Sequence, residues 1–327
     1  MPCHGNKPGA VSGLGESRLA MQPRGLEFSA FRPQMSSSRA TFFLRLGSTV
    51  SLWVLILAAI FSGREWAFFL VIAGMALASL WEYFRMLDKD GIPNFQLTGM
   101  ICATVFLCGS FYYASTVGTA RSMDFELAIL VLFVVVMFAR QMFVPIHERE
   151  PLQTMAYTLF GLLWIPWMFS FITKILFLPP RTLEGEPTGQ FYVLFLVMVT
   201  KFSDMGAYVF GSLFGRHPSV PHISPKKTWE GFGGALFASL LAAGILFWVA
   251  PEKIPAFRLG DVIVLAIGLG FAAVIGDLAE SIVKRSTGIK DSGGVLPGIG
   301  GTLDLIDSLL FSAPLLYFYM RLVLKIE

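Results

Sequence analysis

Long blocks of apolar residues alternate with short polar stretches from about residue 42 to the C-terminus. A helix of about 20 apolar residues is long enough to cross the hydrocarbon core of a bilayer. The pattern therefore predicts an all-α fold, a polytopic transmembrane helix bundle of about nine spans. The predicted spans lie near residues 42–62, 66–84, 97–117, 125–143, 154–178, 190–214, 229–250, 260–282 and 304–323.

Composition agrees with a membrane protein and argues against nucleic-acid binding. Hydrophobic residues make up 55% of the chain and charged residues 14%, whereas soluble proteins have about 25% charged residues. Mean hydropathy is +0.66. The net charge of +3 is too small to indicate a nucleic-acid partner. We therefore expect the lipid bilayer, and no nucleic acid, to surround this chain.

Polar residues divide the chain into three predicted regions. Residues 1–40 are rich in Gly, Ser, Pro and Arg without an apolar period, which predicts a disordered cytosolic tail. Residues 41–189 are predicted to form an N-terminal transmembrane scaffold, because no motif there indicates chemistry. Residues 190–327 are predicted to form a C-terminal transmembrane catalytic region, because the three polar motifs described below lie there.

The distribution of basic residues predicts the orientation. With nine spans, the tail and the even-numbered loops hold 16 of the 25 Lys and Arg residues, and the odd-numbered loops with the C-terminus hold 8. Basic loops stay on the cytosolic side. We expect an integral protein of the cell (inner) membrane, with loops 215–228 and 284–303 facing the cytosol.

Several other motifs carry little weight. Cys102 and Cys108 are six residues apart and do not share a helix face, so they indicate buried apolar positions. Residues 268–273 fit GxGxxA, but they lie inside an apolar span without the preceding strand that a dinucleotide site needs. His147 and His222 stand alone in predicted loops.

The first polar motif is a charged helix face within the span at 190–214. Lys201, Asp204 and Tyr208 are separated by three and four residues, which places them on one face of a helix. Either Lys201 and Asp204 merely neutralise each other, or Asp204 faces a polar, substrate-binding cavity in the bundle.

The second motif is a predicted loop at residues 224–231, Ser-Pro-Lys-Lys-Thr-Trp-Glu-Gly, which leads into the next span. Adjacent lysines at a membrane surface are often only anchors. Hydroxyl and backbone N–H groups at a helix start, however, suit an anion, and lysines add compact positive charge for phosphates. The candidate substrate-binding residues are Ser224, Lys226, Lys227 and Thr228.

The third motif is the charged stretch 281–307 between two apolar spans. Asp304 and Asp307 are three residues apart on one helix face, and Asp277 would join them if the chain returns as a hairpin. Carboxylates beside basic residues suit Mg²⁺ held by few protein ligands plus substrate phosphates. Mutually neutralising ion pairs are the alternative. Five glycines of this stretch let backbone N–H groups approach a ligand, namely Gly293, Gly294, Gly298, Gly300 and Gly301.

The third motif resembles the signature of the integral-membrane phosphatidate cytidylyltransferases, or CDP-diglyceride synthetases. Residues 204–208, 224–231 and 276–278 resemble further blocks of that family in the same order. The residues that carry the signature are Ser281, Lys284, Arg285, Lys290, Asp291, Gly293, Leu296, Pro297, Gly300, Gly301, Asp304 and Asp307.

The resemblance implies transfer of a cytidylyl group from CTP to phosphatidate, giving CDP-diacylglycerol and pyrophosphate. It also implies Mg²⁺ bound by Asp277 and Asp304, leaves room for a second metal ion, and is compatible with a homodimer. The implied catalytic residues are Asp277, Asp304, Asp307, Lys284, Arg285, Lys290 and Asp291. The implied substrate-binding residues are Asp204, Ser224, Lys226, Lys227, Thr228, Gly300 and Gly301.

The chain departs from the family signature at two positions. Ile299 stands where the family has His, and Leu305 stands where it has Arg. Three alternatives therefore stay open: transfer to another membrane lipid phosphate, an anion transporter, and a scaffold without activity. Transporters often carry matching motifs in two halves, whereas the motifs here lie in the C-terminal part alone.

Overall fold

The structure, a computed structural model, describes residues 51, 53–144, 150–180, 188–288 and 300–326. In these residues eight helices are long and apolar enough to cross a membrane. They are α1 (Glu65–Lys89), α2 (Gln96–Thr116), α3 (Thr119–Gln141), α4 (Glu150–Phe177), α5 (Gln190–Phe214), α6 (Trp229–Val249), α7 (Leu259–Ser286) and α8 (Thr302–Val323).

The predicted all-α bundle is confirmed, because each of these helices overlaps one predicted span. The predicted span at 42–62 lies largely outside the described residues, and residues 53–61 are helical. The predicted tail, 1–40, also lies outside the described residues.

A short β-hairpin joins α5 to α6. Its antiparallel strands are β1 (Pro218–Val220) and β2 (Ser224–Thr228). The second polar motif, predicted as a loop, thus lies mainly on β2. The Thr228 hydroxyl accepts a hydrogen bond from Gly231 N at 3.1 Å, which satisfies one of the free N–H groups at the start of α6. The hairpin is therefore attached directly to the first turn of α6.

Helices α5 and α6 approach each other closely through glycine. A Cβ atom at Gly206 would lie 2.4 Å from the backbone oxygen of Gly234, and real Cβ atoms do not come that near. Small residues are what allow helix backbones to meet inside a membrane. This contact fixes the hairpin close to the polar face of α5.

Helix α8 is the central element of the bundle and packs against α7, α4, α1 and α5. Its first turn follows the end of α7, and it also contacts α1 near that helix's C-terminal end. The ends of α1, α5 and α7 and the starts of α6 and α8 consequently meet at one end of the bundle. The described residues of all three polar motifs lie there.

A buried ion pair joins α3 and α4 in the scaffold. Lys174 Nζ lies 2.6 Å from Glu126 Oε1, with side chains 0% and 1% exposed. Ser170 accepts a further hydrogen bond from Lys174 at 2.8 Å, and Trp167 Nε1 donates to Glu126 Oε2 at 3.2 Å. Buried charges are tolerated when they are paired and hydrogen-bonded in this way.

Candidate active site

A close helix contact brings the carboxylates of α7 and α8 together. A Cβ atom at Gly276 would lie 2.4 Å from the backbone oxygen of Asp307, so the two backbones touch at this point. Asp277 follows that glycine directly and therefore faces the first turns of α8. Helices α7 and α8 thus pack side by side, which is the arrangement under which Asp277 was expected to join Asp304 and Asp307.

Three acidic side chains converge at this contact. One carboxylate oxygen from each of Asp277, Glu280 and Asp307 lies within 4.8 Å of the other two. Asp307 and Glu280 are buried, whereas Asp277 is half exposed. Such a group of hard oxygen donors is suited to a divalent cation with substrate phosphates completing the coordination.

Asp304 lies beside this acidic group. The Lys284 ammonium contacts Asp304 Oδ1 and lies 3.0 Å from Glu280 Oε1. Asp304 Oδ2 accepts a hydrogen bond from Gly301 N at 3.3 Å, at the start of α8, where a negative charge is favourable. Asp304 and Glu280 also contact each other directly. Asp304 therefore adjoins the acidic group. The Lys284 ammonium is shared between Asp304 and Glu280.

The first polar motif forms a three-membered hydrogen-bonded cluster with α8. Lys201 Nζ donates to Asp204 Oδ2 and to Ser308 Oγ, each at 2.9 Å. The Ser308 hydroxyl in turn donates to Asp204 Oδ2 at 2.9 Å. We call these three residues the Lys201 cluster. Lys201 and Asp204 do neutralise each other, and Asp204 nevertheless faces a cavity.

That cavity is a cleft of about 630 Å³ between the hairpin and the helices α5, α6 and α7, lined by both polar and apolar side chains. Lys227 Nζ forms an ion pair with Asp277 Oδ2 at 2.7 Å across it. The hairpin lysines and the α7 carboxylate thus meet in one place. The predicted site residues that line the cleft are Asp204, Ser224, Lys226, Lys227, Thr228 and Asp277.

The remaining predicted residues are distributed around this centre. Arg285 is exposed at the end of α7. Gly300 has a φ of +114°, which favours glycine, and Gly301 immediately precedes α8. Leu305 is partly buried and lies on a different face of α8 from the acids, against an apolar cavity. Lys290, Asp291, Gly293, Gly294, Gly298 and Ile299 lie outside the described residues.

Two residues of the centre were missed by the sequence analysis. Glu280 lies three residues after Asp277, a helical spacing that would have identified it. Glu82 lies on α1, is 1% exposed, and accepts a hydrogen bond from Leu303 N at 2.9 Å through its Oε2. The signal for Glu82 was an ionisable residue within an apolar span, which is a functional hypothesis in itself.

Comparison with known proteins assigns the family. Residues 43–323 match the family described as the cytidylyltransferase family. The phosphatidate cytidylyltransferase of Mycobacterium bovis is 33% identical over 294 residues, which cover 86% of this chain and 90% of that protein.

Two further relatives carry the same name. The phosphatidate cytidylyltransferase of Bacillus subtilis is 31% identical over 78% of this chain and 89% of its own length. That of Haemophilus influenzae is 29% identical over 84% of this chain and 97% of its own length. With a family match over most of its length and eight helices suited to a bilayer, this chain is an integral membrane protein of the cytidylyltransferase family.

Proposed function

We propose that this protein transfers the cytidylyl group of CTP to phosphatidate, forming CDP-diacylglycerol and releasing pyrophosphate. One observation carries the proposal: across the cleft, Lys227 of the basic hairpin forms an ion pair with Asp277, which belongs to the acidic group. A triphosphate needs cations and a coordinated divalent metal near the reacting phosphorus. The names of the relatives support the same reaction.

The acidic group fits a magnesium ion. Asp277, Glu280 and Asp307 supply three oxygen donors within 4.8 Å of one another, and Mg²⁺ is usually bound by few carboxylates together with phosphates. We assign these three as ligands and keep Asp304 as a fourth, because it contacts Glu280. When bound, the metal would neutralise charge on the triphosphate and on the leaving pyrophosphate.

The side chains of this chain bind and orient the two anionic substrates. An oxygen of the lipid phosphate attacks the α-phosphorus of CTP, and the bond from that phosphorus to the pyrophosphate oxygen breaks. No general base is required, because a phosphate monoester is already ionised near neutral pH. The catalytic task is to hold both phosphates in line and to compensate their charge.

The lysines carry out that task at three points. Lys226 and Lys227 line the cleft from the hairpin, and Lys227 can exchange its partner Asp277 for a phosphate oxygen. Lys201 donates a hydrogen bond to Asp204, which lines the cleft from α5, and Lys284 lies beside Asp304 of α8. Charge-assisted contacts of this kind are stronger than neutral hydrogen bonds.

We place the cleft on the cytosolic side of the cell's inner membrane. The segments 215–228 and 284–303 hold three Lys or Arg residues each, and basic segments stay on the cytosolic side. CTP is a highly charged nucleotide that does not cross a bilayer, so a cleft on that side receives it directly.

The direct test is incorporation of labelled cytidylate by purified protein. With phosphatidate, CTP and Mg²⁺, we expect labelled CDP-diacylglycerol and an equal amount of pyrophosphate. Labelling of a different lipid phosphate alone would support the alternative acceptor. Transport of the anion into vesicles without any lipid product would contradict an enzyme altogether.

A further inference from the structure

A second cavity, of about 450 Å³, lies next to the cleft that the hairpin lines, and its own lining is almost entirely apolar. Its walls come from the helical residues 53–61 and from α1, α4, α5 and α8. Every lining side chain except that of Lys201 is aliphatic, aromatic or a thioether. Water inside a protein needs polar partners, so such a cavity suits a hydrocarbon occupant. Its volume falls within the usual range of ligand sites, about 300–1,000 Å³.

The two cavities meet at the Lys201 cluster. Lys201 lines the apolar cavity, and Asp204, which accepts its hydrogen bond, lines the cleft beside the hairpin. Ser308 completes the contact from α8. A molecule with an anionic head and a hydrocarbon tail would therefore place its head at this cluster and its tail in the apolar cavity.

Helix α8 has two faces that match the two cavities. Leu305 and Leu309 are four residues apart and line the apolar cavity, as expected for positions on one helix face. Asp304, Asp307 and Ser308 form the polar side of the same turns. Leu305, the apolar residue that replaces the family's Arg, thus belongs to the hydrocarbon side.

The depth of the apolar cavity matches one leaflet of a membrane. Along α5 it runs from Val193 to Met205, a rise of about 18 Å at 1.5 Å per residue. The hydrocarbon core of a bilayer is about 30 Å thick, so one leaflet contributes roughly 15 Å. From Lys201 back to Val193 the rise is about 12 Å at 1.5 Å per residue, so an acyl chain that starts at the Lys201 cluster can extend along most of the cavity.

We propose that this apolar cavity binds one acyl chain of the lipid phosphate substrate. The inference rests on the proposed function for the identity of the lipid. The lipid phosphate lies beside Lys201, and CTP approaches from the hairpin side of the cleft. The lipid thus reaches the centre from the membrane, whereas CTP reaches it from water.

The first experiment narrows the cavity. Val197→Phe on α5 and Ile72→Phe on α1 replace lining residues, and Val264→Phe on the exposed face of α7 is the matched control. Full-length purified variants are assayed with dioctanoyl and dipalmitoyl phosphatidate. We expect KM for the long-chain lipid to rise about tenfold, since excluding two methylene groups forfeits roughly that much binding. KM for CTP, and turnover of the short-chain lipid, should stay close to those of the control.

Two results of the chain-length assay would contradict the proposal. An unchanged chain-length profile in both narrowed variants would overturn the acyl-chain assignment. Equal losses on the short-chain and long-chain lipids would also count against it, because a general defect does not discriminate chain length.

A second experiment needs no turnover and uses the unaltered protein. Phosphatidate with a photoreactive group at the end of one acyl chain should label α4 and α5 around Ile172 and Val197. Excess phosphatidate should suppress the labelling, and excess phosphatidylcholine should not. Labelling elsewhere, or equal suppression by both lipids, would mean that ordinary membrane lipid fills the cavity.

The two proposals fail in different ways. Selective labelling of a protein that makes no CDP-diacylglycerol would retain the acyl-chain site and remove the proposed reaction. Full activity with labelling outside the cavity would retain the proposed reaction and remove the acyl-chain site.

Discussion

At the scale of single residues, the described part of the centre holds more carboxylates than the lysines paired with them. Lys227 pairs with Asp277, and Lys284 is shared between Glu280 and Asp304. Asp307 adds a further buried carboxylate. Carboxylates this close repel one another unless a cation or a proton lies between them. The arrangement therefore favours metal binding over simple ion pairing.

We predict that Asp277→Asn lowers turnover about a thousandfold without preventing membrane insertion. A lost metal-ligand contact of about 4 kcal/mol corresponds to that factor. The matched control is Asp261→Asn at the other end of α7, where Asp261 accepts hydrogen bonds from Arg258 N and the Tyr319 hydroxyl. Titration of Mg²⁺ in Glu280→Gln and Asp304→Asn then separates the ligands. A variant whose Mg²⁺ requirement is unchanged has lost no ligand.

Lys227→Ala tests the basic hairpin. We expect KM for CTP to rise roughly tenfold or more, because a hydrogen bond to a charged group contributes about 1.5–3 kcal/mol. Turnover at saturating CTP should fall much less. Lys253→Ala, beyond the far end of α6, serves as the control. Steady-state kinetics with varied CTP provide the measurement, and an unchanged KM would remove Lys227 from CTP binding.

At the scale of helices, α1 positions the first turn of α8. The Glu82 carboxylate accepts a hydrogen bond from Leu303 N, one residue before Asp304. A negative charge at a helix N-terminus is stabilising. A residue of α1 thereby positions the helix that carries two of the acids.

We predict that Glu82→Ala lowers turnover about tenfold and that Glu82→Gln recovers most of it, because the amide oxygen can still accept the hydrogen bond. Turnover is measured well below the unfolding temperature of each variant in detergent, so that loss of folded protein does not contribute. Equal activity of the Ala variant and the parent would show that Glu82 does not position α8.

The buried ion pair of α3 and α4 gives a second prediction at this scale. Glu126→Ala leaves Lys174 charged and unpaired, and should destabilise the protein by about 3–5 kcal/mol. The double variant Glu126→Ala with Lys174→Met should recover much of that loss, since no buried charge remains. Thermal unfolding in detergent measures both. Additive effects of the two substitutions would contradict the pairing.

The helices could be predicted from the sequence better than their ends and their contacts. α3 begins at Thr119, although its apolar block was placed from residue 125. Hydropathy declines where Arg121 and Asp124 occur, but backbone hydrogen bonds continue through charged residues outside the hydrocarbon core. The strands of the hairpin were missed because Ser224–Thr228 shows no apolar alternation.

The site was partly predictable for a similar reason. Asp304 and Asp307, or Lys201 and Asp204, are related by helical spacing, which a single sequence displays. The contact of Glu82 with Leu303 and that of Lys201 with Ser308 join residues more than a hundred positions apart. Contacts of that kind depend on how the helices pack, and no local pattern encodes them.

At the scale of the whole molecule, the charged centre lies at one end of the bundle. The hairpin between α5 and α6 and the start of α8 share that end, whereas the turn after α6 lies at the other. The excess of basic residues predicts which end is cytosolic. The side of the membrane on which each loop lies can therefore be measured without an activity assay.

We predict that a cysteine at His222 is labelled by an impermeant reagent from the cytosolic side, and one at Pro251 from the opposite side. Both positions are exposed. The parent is a variant in which Cys3, Cys102 and Cys108 are replaced by Ser. Labelling of residue 222 in intact cells, without permeabilisation, would show that the orientation is opposite to the predicted one.

The contact at Gly276 has a consequence for how inactive variants should be interpreted. A single added methyl group there would meet the backbone oxygen of Asp307 at 2.4 Å, so α7 and α8 would have to separate. Every carboxylate and lysine would still be present, yet the distances among them would change. In a screen for loss of activity, Gly276→Ala would resemble the removal of a ligand. A neutral, buried position can thus be as intolerant of change as the charged residues it holds together.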